Sequence, residues 1–221
     1  NKILWAKNYK IPFSSNLKLF DSKLVASNQN NDLFFIDKNN GDLLKLIPTE
    51  EIVVKNKFIN NLSLNDKSLL FLNTYGSLYS FNKESLRINW FINLNQSLDL
   101  NPSNLFFGNQ IISNKEKIVV SSSHFTYVID LITGSIIYKI NIPSQIKPII
   151  LDNYLFLITK NNLLISFDLR NAKINYSYNI NQQIAKFLDT KKKKVKFKSM
   201  MLANDKIFIF LKNSYILKYN T

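Results

Sequence analysis

His124 is the only histidine in the 221-residue chain, and it follows Ser121, Ser122 and Ser123. A serine beside a histidine is the start of nucleophilic chemistry, in which the imidazole takes the hydroxyl proton. That chemistry also needs a third group to orient the ring and donors for an oxyanion, and the sequence identifies neither. With no cysteine and no second histidine, the nitrogen and sulfur ligands favoured by zinc and most transition metals are missing. His124 therefore reads as a turn residue, and no catalytic residue, metal or cofactor is expected. The carboxylates Asp37, Asp130 and Asp168 form a different pattern. Each closes an apolar run and opens a short turn, and Asn82 stands in the same setting. Recurrence in equivalent turns points to fold maintenance rather than catalysis. No Walker-type or dinucleotide-binding glycine signature is present.

The densest positive feature is Lys191-Lys192-Lys193-Lys194, continued by Lys196 and Lys198. The whole chain carries 29 Lys plus Arg against 15 Asp plus Glu, a formal charge of +14. Such a balance favours acidic partners, among them anionic lipid surfaces. Arg87 and Arg170 are the only arginines, while Lys, Asn, Ile and Phe abound. Codon drift in an AT-rich genome yields the same mixture without selection for a polyanion. The lysine run therefore has two readings, a contact for anionic headgroups or acidic protein and a solvated loop. Nucleic-acid binding also wants stacking platforms or arginine readers beside the charge, so no specific nucleic-acid partner is expected.

The elements that must position these residues repeat. Leu33–Asp37 followed by Lys38-Asn39-Asn40-Gly41-Asp42-Leu43 returns at Leu78–Asn82, at Tyr127–Asp130 with Gly134, and at Leu164–Asp168. The anchors Asp37, Asn82, Asp130 and Asp168 lie 45, 48 and 38 residues apart, around the period of a four-stranded propeller blade. Alternation and turn chemistry predict all-β structure, with blades over 12–47, 58–94, 104–142, 146–180 and 199–221. The last set lacks an outer strand. Residues 2–8 echo one, because Ile3-Leu4-Trp5 matches Ile88-Asn89-Trp90, and are expected to serve as a closing strand. A closed five-blade ring and a slice of a larger propeller of seven or eight blades both fit. Asn1 opens inside a strand-like phrase, which reads as a trimmed or excised piece. At 46% apolar content the chain is not predominantly disordered, and no apolar run reaches the roughly 18 residues of a membrane-spanning helix.

In each copy the Asp or Asn is expected to accept hydrogen bonds from turn amides, with Gly41 and Gly134 supplying a permissive conformation. Leu86 and Ala172 replace glycine in the other two copies. Eight residues after each anchor stand Lys45, Trp90, Tyr138 and Tyr176. The three aromatics are suited to cover the neighbouring blade.

The pattern apolar strand–Asp-x-x-x-Gly–strand–Trp resembles the quinoprotein-type propeller repeat. Within that class the chain is similar to the β-propeller lipoproteins of the outer-membrane β-barrel assembly machinery, the BamB family. Trp5-Ala6-Lys7, Phe13-Ser14-Ser15 and Leu24–Leu33 carry that likeness. The resemblance implies a non-enzymatic scaffold in the bacterial periplasm, tethered by lipid to the outer membrane. It implies as partners the periplasmic repeat domains of the barrel-inserting subunit and unfolded outer-membrane proteins. Ser97-Leu98-Asp99-Leu100-Asn101-Pro102 matches the family's leucine-bearing partner loop, with Asn101 where the family has Arg. Leu98 and Leu100 suit packing as well as contact. The nearer alternative is a generic protein-interaction propeller. The enzyme alternative within the class is a fragment of a quinone-dependent dehydrogenase, which would need a cofactor cavity, usually with a calcium site, and a catalytic acid beyond the repeat.

Overall fold

The computed structural model describes residues 2–51, 59–95, 105–189 and 195–221. The chain divides into two compact units, Asn1–Ile111 and Ile112–Thr221. The first unit holds two antiparallel meanders. One consists of β1 (Lys18–Phe20), β2 (Lys23–Ser27), β3 (Leu33–Asp37) and β4 (Leu43–Ile47), and the other of β5 (Asn61–Leu64), β6 (Ser68–Leu72), β7 (Ser77–Asn82) and β8 (Ile88–Asn93). Their middle strands are near-continuous apolar runs, Leu-Phe-Phe-Ile in β3 and Leu-Leu-Phe-Leu in β6, buried along almost their whole length. Such runs mark strands covered on both faces. Phe20, Val25, Leu33 and Phe35 of the first sheet pack against Leu62, Leu69, Phe71 and Phe81 of the second. Each fully buried side chain of this size contributes about 1.5–3 kcal/mol.

The second unit repeats the plan. Its sheets are β9 (Ile112–Ser113) to β10 (Lys117–Ser121), β11 (Thr126–Asp130) and β12 (Ile136–Ile140), then β13 (Ile149–Leu151), β14 (Tyr154–Ile158), β15 (Leu163–Asp168) and β16 (Lys173–Asn179). A three-stranded sheet follows, of β17 (Phe197–Ala203), β18 (Lys206–Leu211) and β19 (Ile216–Asn220). Strand β14 shows how one element serves two cores. Leu155 and Leu157 join the cluster with Val119 and Val128, while Phe156 and Ile158 join Phe197, Ile207 and Ile209. Alternation with period two sends successive side chains to opposite faces.

Five sheets of the expected kind are present, and three local features differ from expectation. Residues 2–8, expected as a closing strand, form no strand. They lie instead on the β3–β4 turn, where Trp5 Nε1 donates to the Lys38 carbonyl at 2.8 Å, Lys7 Nζ pairs with Asp42, and Tyr9 Oη donates to the Gly41 carbonyl. The first strand of the third sheet, expected from residue 105, is only Ile112–Ser113. Phe106 is committed elsewhere, its amide bonded to the Thr74 carbonyl and its ring packed over Gly76. The third difference is a helix, α1 (Ile180–Phe187), where the fourth outer strand was expected to end and a loop to follow. Asn179 caps it by accepting from the Gln182 amide, and Ile180 and Ile184 turn one face to the core.

Candidate protein-interaction surface

The anchors do what their residue type allows. Asp37 Oδ1 accepts from the Asn39 amide, Asn82 Oδ1 from the Glu84 and Ser85 amides, and Asp130 Oδ1 from the Ile132 and Thr133 amides and the Thr133 hydroxyl. Asp168 accepts from the Arg170 amide and guanidinium. All four turns also share a register shift just before the anchor, at Phe35/Ile36, Ser80/Phe81, Val128/Ile129 and Ser166/Phe167. A bulge at this position sharpens the local twist of each outer hairpin. The residue after each anchor donates its amide to the turn between the first two strands: Lys38 to Ser22, Lys83 to Lys67, Leu131 to Glu116 and Leu169 to Asn153.

A fifth anchor becomes visible on this frame. Asn220 pairs with Lys206 as Asp37 pairs with Lys23, and the Thr221 amide donates to the Asp205 carbonyl. Sequence reading missed it because α1 and the lysine run stretch the interval from Asp168 to 52 residues.

Protonation of two anchors links the turns to pH. The Thr133 amide and hydroxyl hold the Asp130 carboxyl below its ordinary range, and Arg170 does the same for Asp168. A carboxylate with a depressed folded value contributes stability that is fully present above its unfolded value of about 3.9 and disappears as pH falls through the folded value. Asp130→Asn and Asp168→Asn keep a turn acceptor, as Asn82 does naturally, and remove the titration. Each variant is therefore expected to flatten the loss of urea stability below about pH 4.

The glycine position is left-handed in every copy, with φ of 73° at Gly41, 52° at Leu86, 74° at Gly134 and 56° at Ala172. Leu86 offsets this strain by packing against the core of the first two sheets. Ala172 is exposed. Ala172→Gly is expected to stabilise the fold by about 1 kcal/mol, read as a raised urea midpoint.

The positions eight residues beyond the anchors join neighbouring sheets, and only part of the expected aromatic cover is seen. Lys45 Nζ donates to the Leu86 carbonyl at 2.8 Å, and Tyr138 Oη reaches the Arg170 carbonyl at 3.5 Å. Each reaches the outer turn of the next sheet in the chain. Trp5 makes the same kind of contact with the Asp37–Asp42 turn, so residues 2–8 hold the place of an outer-strand partner without strand pairing. Trp90 is half-buried. Tyr176 packs on the Phe156–Ile209 core and against Tyr178, and its hydroxyl lies near Ser166 outside hydrogen-bond geometry.

Sequence reading missed a further clasp. Glu50, in the segment after β4, accepts from Ser77 Oγ at 2.5 Å, Asn73 Nδ2 at 2.7 Å and Tyr79 Oη at 2.9 Å. Asn31 Nδ2 donates to the Glu50 carbonyl, and Thr74 Oγ1 donates to Asn31 Oδ1. Burial first, then Glu50, holds the Tyr79 phenol protonated well above its ordinary range. A carboxylate occupied by three neutral donors is suited to fastening two hairpins, and poorly suited to moving a proton. Its only sequence signal is a pair of acids, Glu50-Glu51, shortly after a strand.

His124 is exposed in the β10–β11 turn, with Nδ1 2.7 Å from Ser123 Oγ. Among the described residues no three His, Cys, Asp or Glu side chains are grouped to hold a metal. The sequence-predicted partner residues Leu98, Leu100, Asn101 and Lys191 to Lys194 lie outside the described residues.

What the sheets do present is their outer strands. Each four-stranded sheet ends in β4, β8, β12 or β16, whose outer edge pairs with no other strand among the described residues. Leu44, Leu46, Ile88, Phe91, Ile137 and Ile174 stand exposed along those strands.

Comparison with solved structures settles the architecture. BamB from Moraxella catarrhalis superposes with a TM-score of 0.65 at 12% identity, over 98% of this chain and 61% of that one. The fold is a β-propeller. A quinohemoprotein alcohol dehydrogenase from Pseudomonas putida HK5 gives 0.68 at 8% identity, over 99% of this chain and 42% of that one. The Cps50 (Swd1) β-propeller domain of Myceliophteria thermophila gives 0.64 at 10% identity, over 95% and 65%. The chain thus spans less than two thirds of the length of each of these propellers. No family model matches the sequence, and no curated protein matches it.

Proposed function

We propose that this propeller is a non-catalytic, protein-binding scaffold in the assembly and insertion of β-barrel proteins into the bacterial outer membrane. It works in the periplasm, held to the outer membrane by a lipid anchor on the protein to which the chain belongs. Its partners are the periplasmic repeat domains of the barrel-inserting subunit and unfolded outer-membrane polypeptides. The observation that carries this reading is the set of outer strands whose edges are unpaired among the described residues, with exposed Leu44, Leu46, Phe91 and Ile174. An extended client can pair with such an edge through its main chain while apolar side chains meet alternate positions. This chemistry tolerates many client sequences. The turns behind the strands are pinned by their own side chains, so the surface is rigid before a client arrives. Likeness to BamB over nearly the whole chain supports the choice of client, and the sequence resemblance supports it independently.

Two measurements test the proposal. In a pull-down, the chain is expected to retain the periplasmic repeat domains of a barrel-inserting subunit and an unfolded outer-membrane protein, but not that protein once folded in detergent. Absence of both interactions overturns the reading. Quinone absorbance in purified material, with dye reduction dependent on calcium, would reassign the chain to dehydrogenase chemistry.

A further inference from the structure

The apolar stripe of α1 runs off the protein body. Ile180 is fully buried and Ile184 packs against the same core, yet Phe187, seven residues from Ile180 and on nearly the same helical face, is 88% exposed. It is the most exposed large apolar side chain among the described residues, and Leu188 beside it is 46% exposed. A stripe that begins in the core and ends in solvent has its outer end free for another apolar phase.

The surroundings are basic. Lys186 occupies the last turn of α1, whose first turn contains no acid. The Val195 amide donates to Asn181 Oδ1 at 3.3 Å, which ties the segment entering β17 to the first turn of the helix. That bond brings exposed Lys196 and Lys198 to the same region, and the Lys212 amide, bonded to the Lys196 carbonyl, adds a fourth cation. Asp189 is the only acid in this part of the surface from 180 to 189 and from 195 to 203. An eight-residue helix is about 12 Å long, so lysines held beside its first turn stand on the order of that distance from Phe187.

We propose that the C-terminal end of α1 docks on an anionic lipid bilayer. Phe187 and Leu188 enter the interface, and Lys186, Lys196, Lys198 and Lys212 face the headgroup phosphates. The chemistry favours lipid over an acidic protein. The cations sit on flexible stems as point charges, which suits the diffuse field of a headgroup layer. Insertion of an aromatic and an aliphatic side chain below a basic rim is the mode of interfacial helices. This inference stands apart from client binding at the outer strands, because it uses different residues and a different ligand.

The test is co-sedimentation with vesicles of phosphatidylcholine alone and of phosphatidylcholine with phosphatidylglycerol. Binding is expected only to the second. Phe187→Ser combined with Leu188→Ser should weaken it by more than about tenfold, since full insertion of either apolar side chain alone contributes about that much. Each of Lys196→Gln and Lys198→Gln should weaken it by about fivefold. All of these positions are exposed, so unchanged thermal melting shows that the variants remain folded. Failure to bind anionic vesicles overturns the proposal. So does binding that survives Phe187→Ser/Leu188→Ser unchanged, which would leave only a charge effect, and so does equal competition by soluble polyglutamate, which would point to an acidic protein.

Discussion

Glu50→Ala is expected to lower the stability of the first unit by about 2–4 kcal/mol, although Glu50 sits outside every strand. The substitution removes the shared acceptor of Ser77, Asn73 and Tyr79. Ser77 and Asn73 are themselves buried, at 0% and 2% exposure. A buried donor left without an acceptor costs about 1–3 kcal/mol. Half-burial of Glu50 lets some water replace the carboxylate, which keeps the total below the sum of three such losses. Glu50→Gln keeps one acceptor oxygen and should cost less than half as much. Glu51→Ala should stay within about 0.5 kcal/mol, because Tyr75 bonds the main-chain carbonyl there rather than the side chain. Both tryptophans, Trp5 and Trp90, lie in the first unit. Urea unfolding followed by tryptophan fluorescence therefore reads the affected unit. Equal midpoints for Glu50→Ala and Glu51→Ala would show that the clasp contributes nothing.

The contrast between this clasp and the anchored turns explains what could be read from the sequence. Asp130 bonds atoms two and three residues ahead, so its partners lie inside one short phrase, and repetition at Asp37, Asn82 and Asp168 exposes the pattern. Strands flanked by such turns were legible to within a few residues. Glu50 bonds residues 23 to 29 positions away, and no local pattern marks that pairing. Trp5 is an intermediate case. Its likeness to Trp90 was visible, but what it does is decided by a turn 33 residues on, and docking there replaced the strand its sequence suggested. Helix α1 did leave a local trace, in the Asn179 cap and the four-residue spacing of Ile180, Ile184 and Leu188. The strand pattern of Lys173–Asn179 running directly into it concealed that trace. Asn220 was hidden by insertion, since a repeat stretched by a helix loses the period that identified its siblings.

Gly41→Ala is the second large effect, and it separates two causes that coincide at one residue. At φ +73° an alanine pays the left-handed penalty, about 1–2 kcal/mol. A Cβ at Gly41 would also stand 2.5 Å from Cε3 of Trp5, far inside van der Waals contact. The Trp5 ring cannot shift while keeping its 2.8 Å bond to the Lys38 carbonyl, so residues 2–9 are expected to detach from the turn. A total loss of about 2–4 kcal/mol is expected, from backbone strain and the lost docking together. Tryptophan emission should move to longer wavelength as Trp5 becomes solvated. The double-mutant cycle with Trp5→Ala resolves the two terms, because neighbours in contact do not add. In the Trp5→Ala background only the backbone penalty remains, so Gly41→Ala should cost about 1–2 kcal/mol there. Equal cost in both backgrounds would mean that the ring is not seated on the glycine.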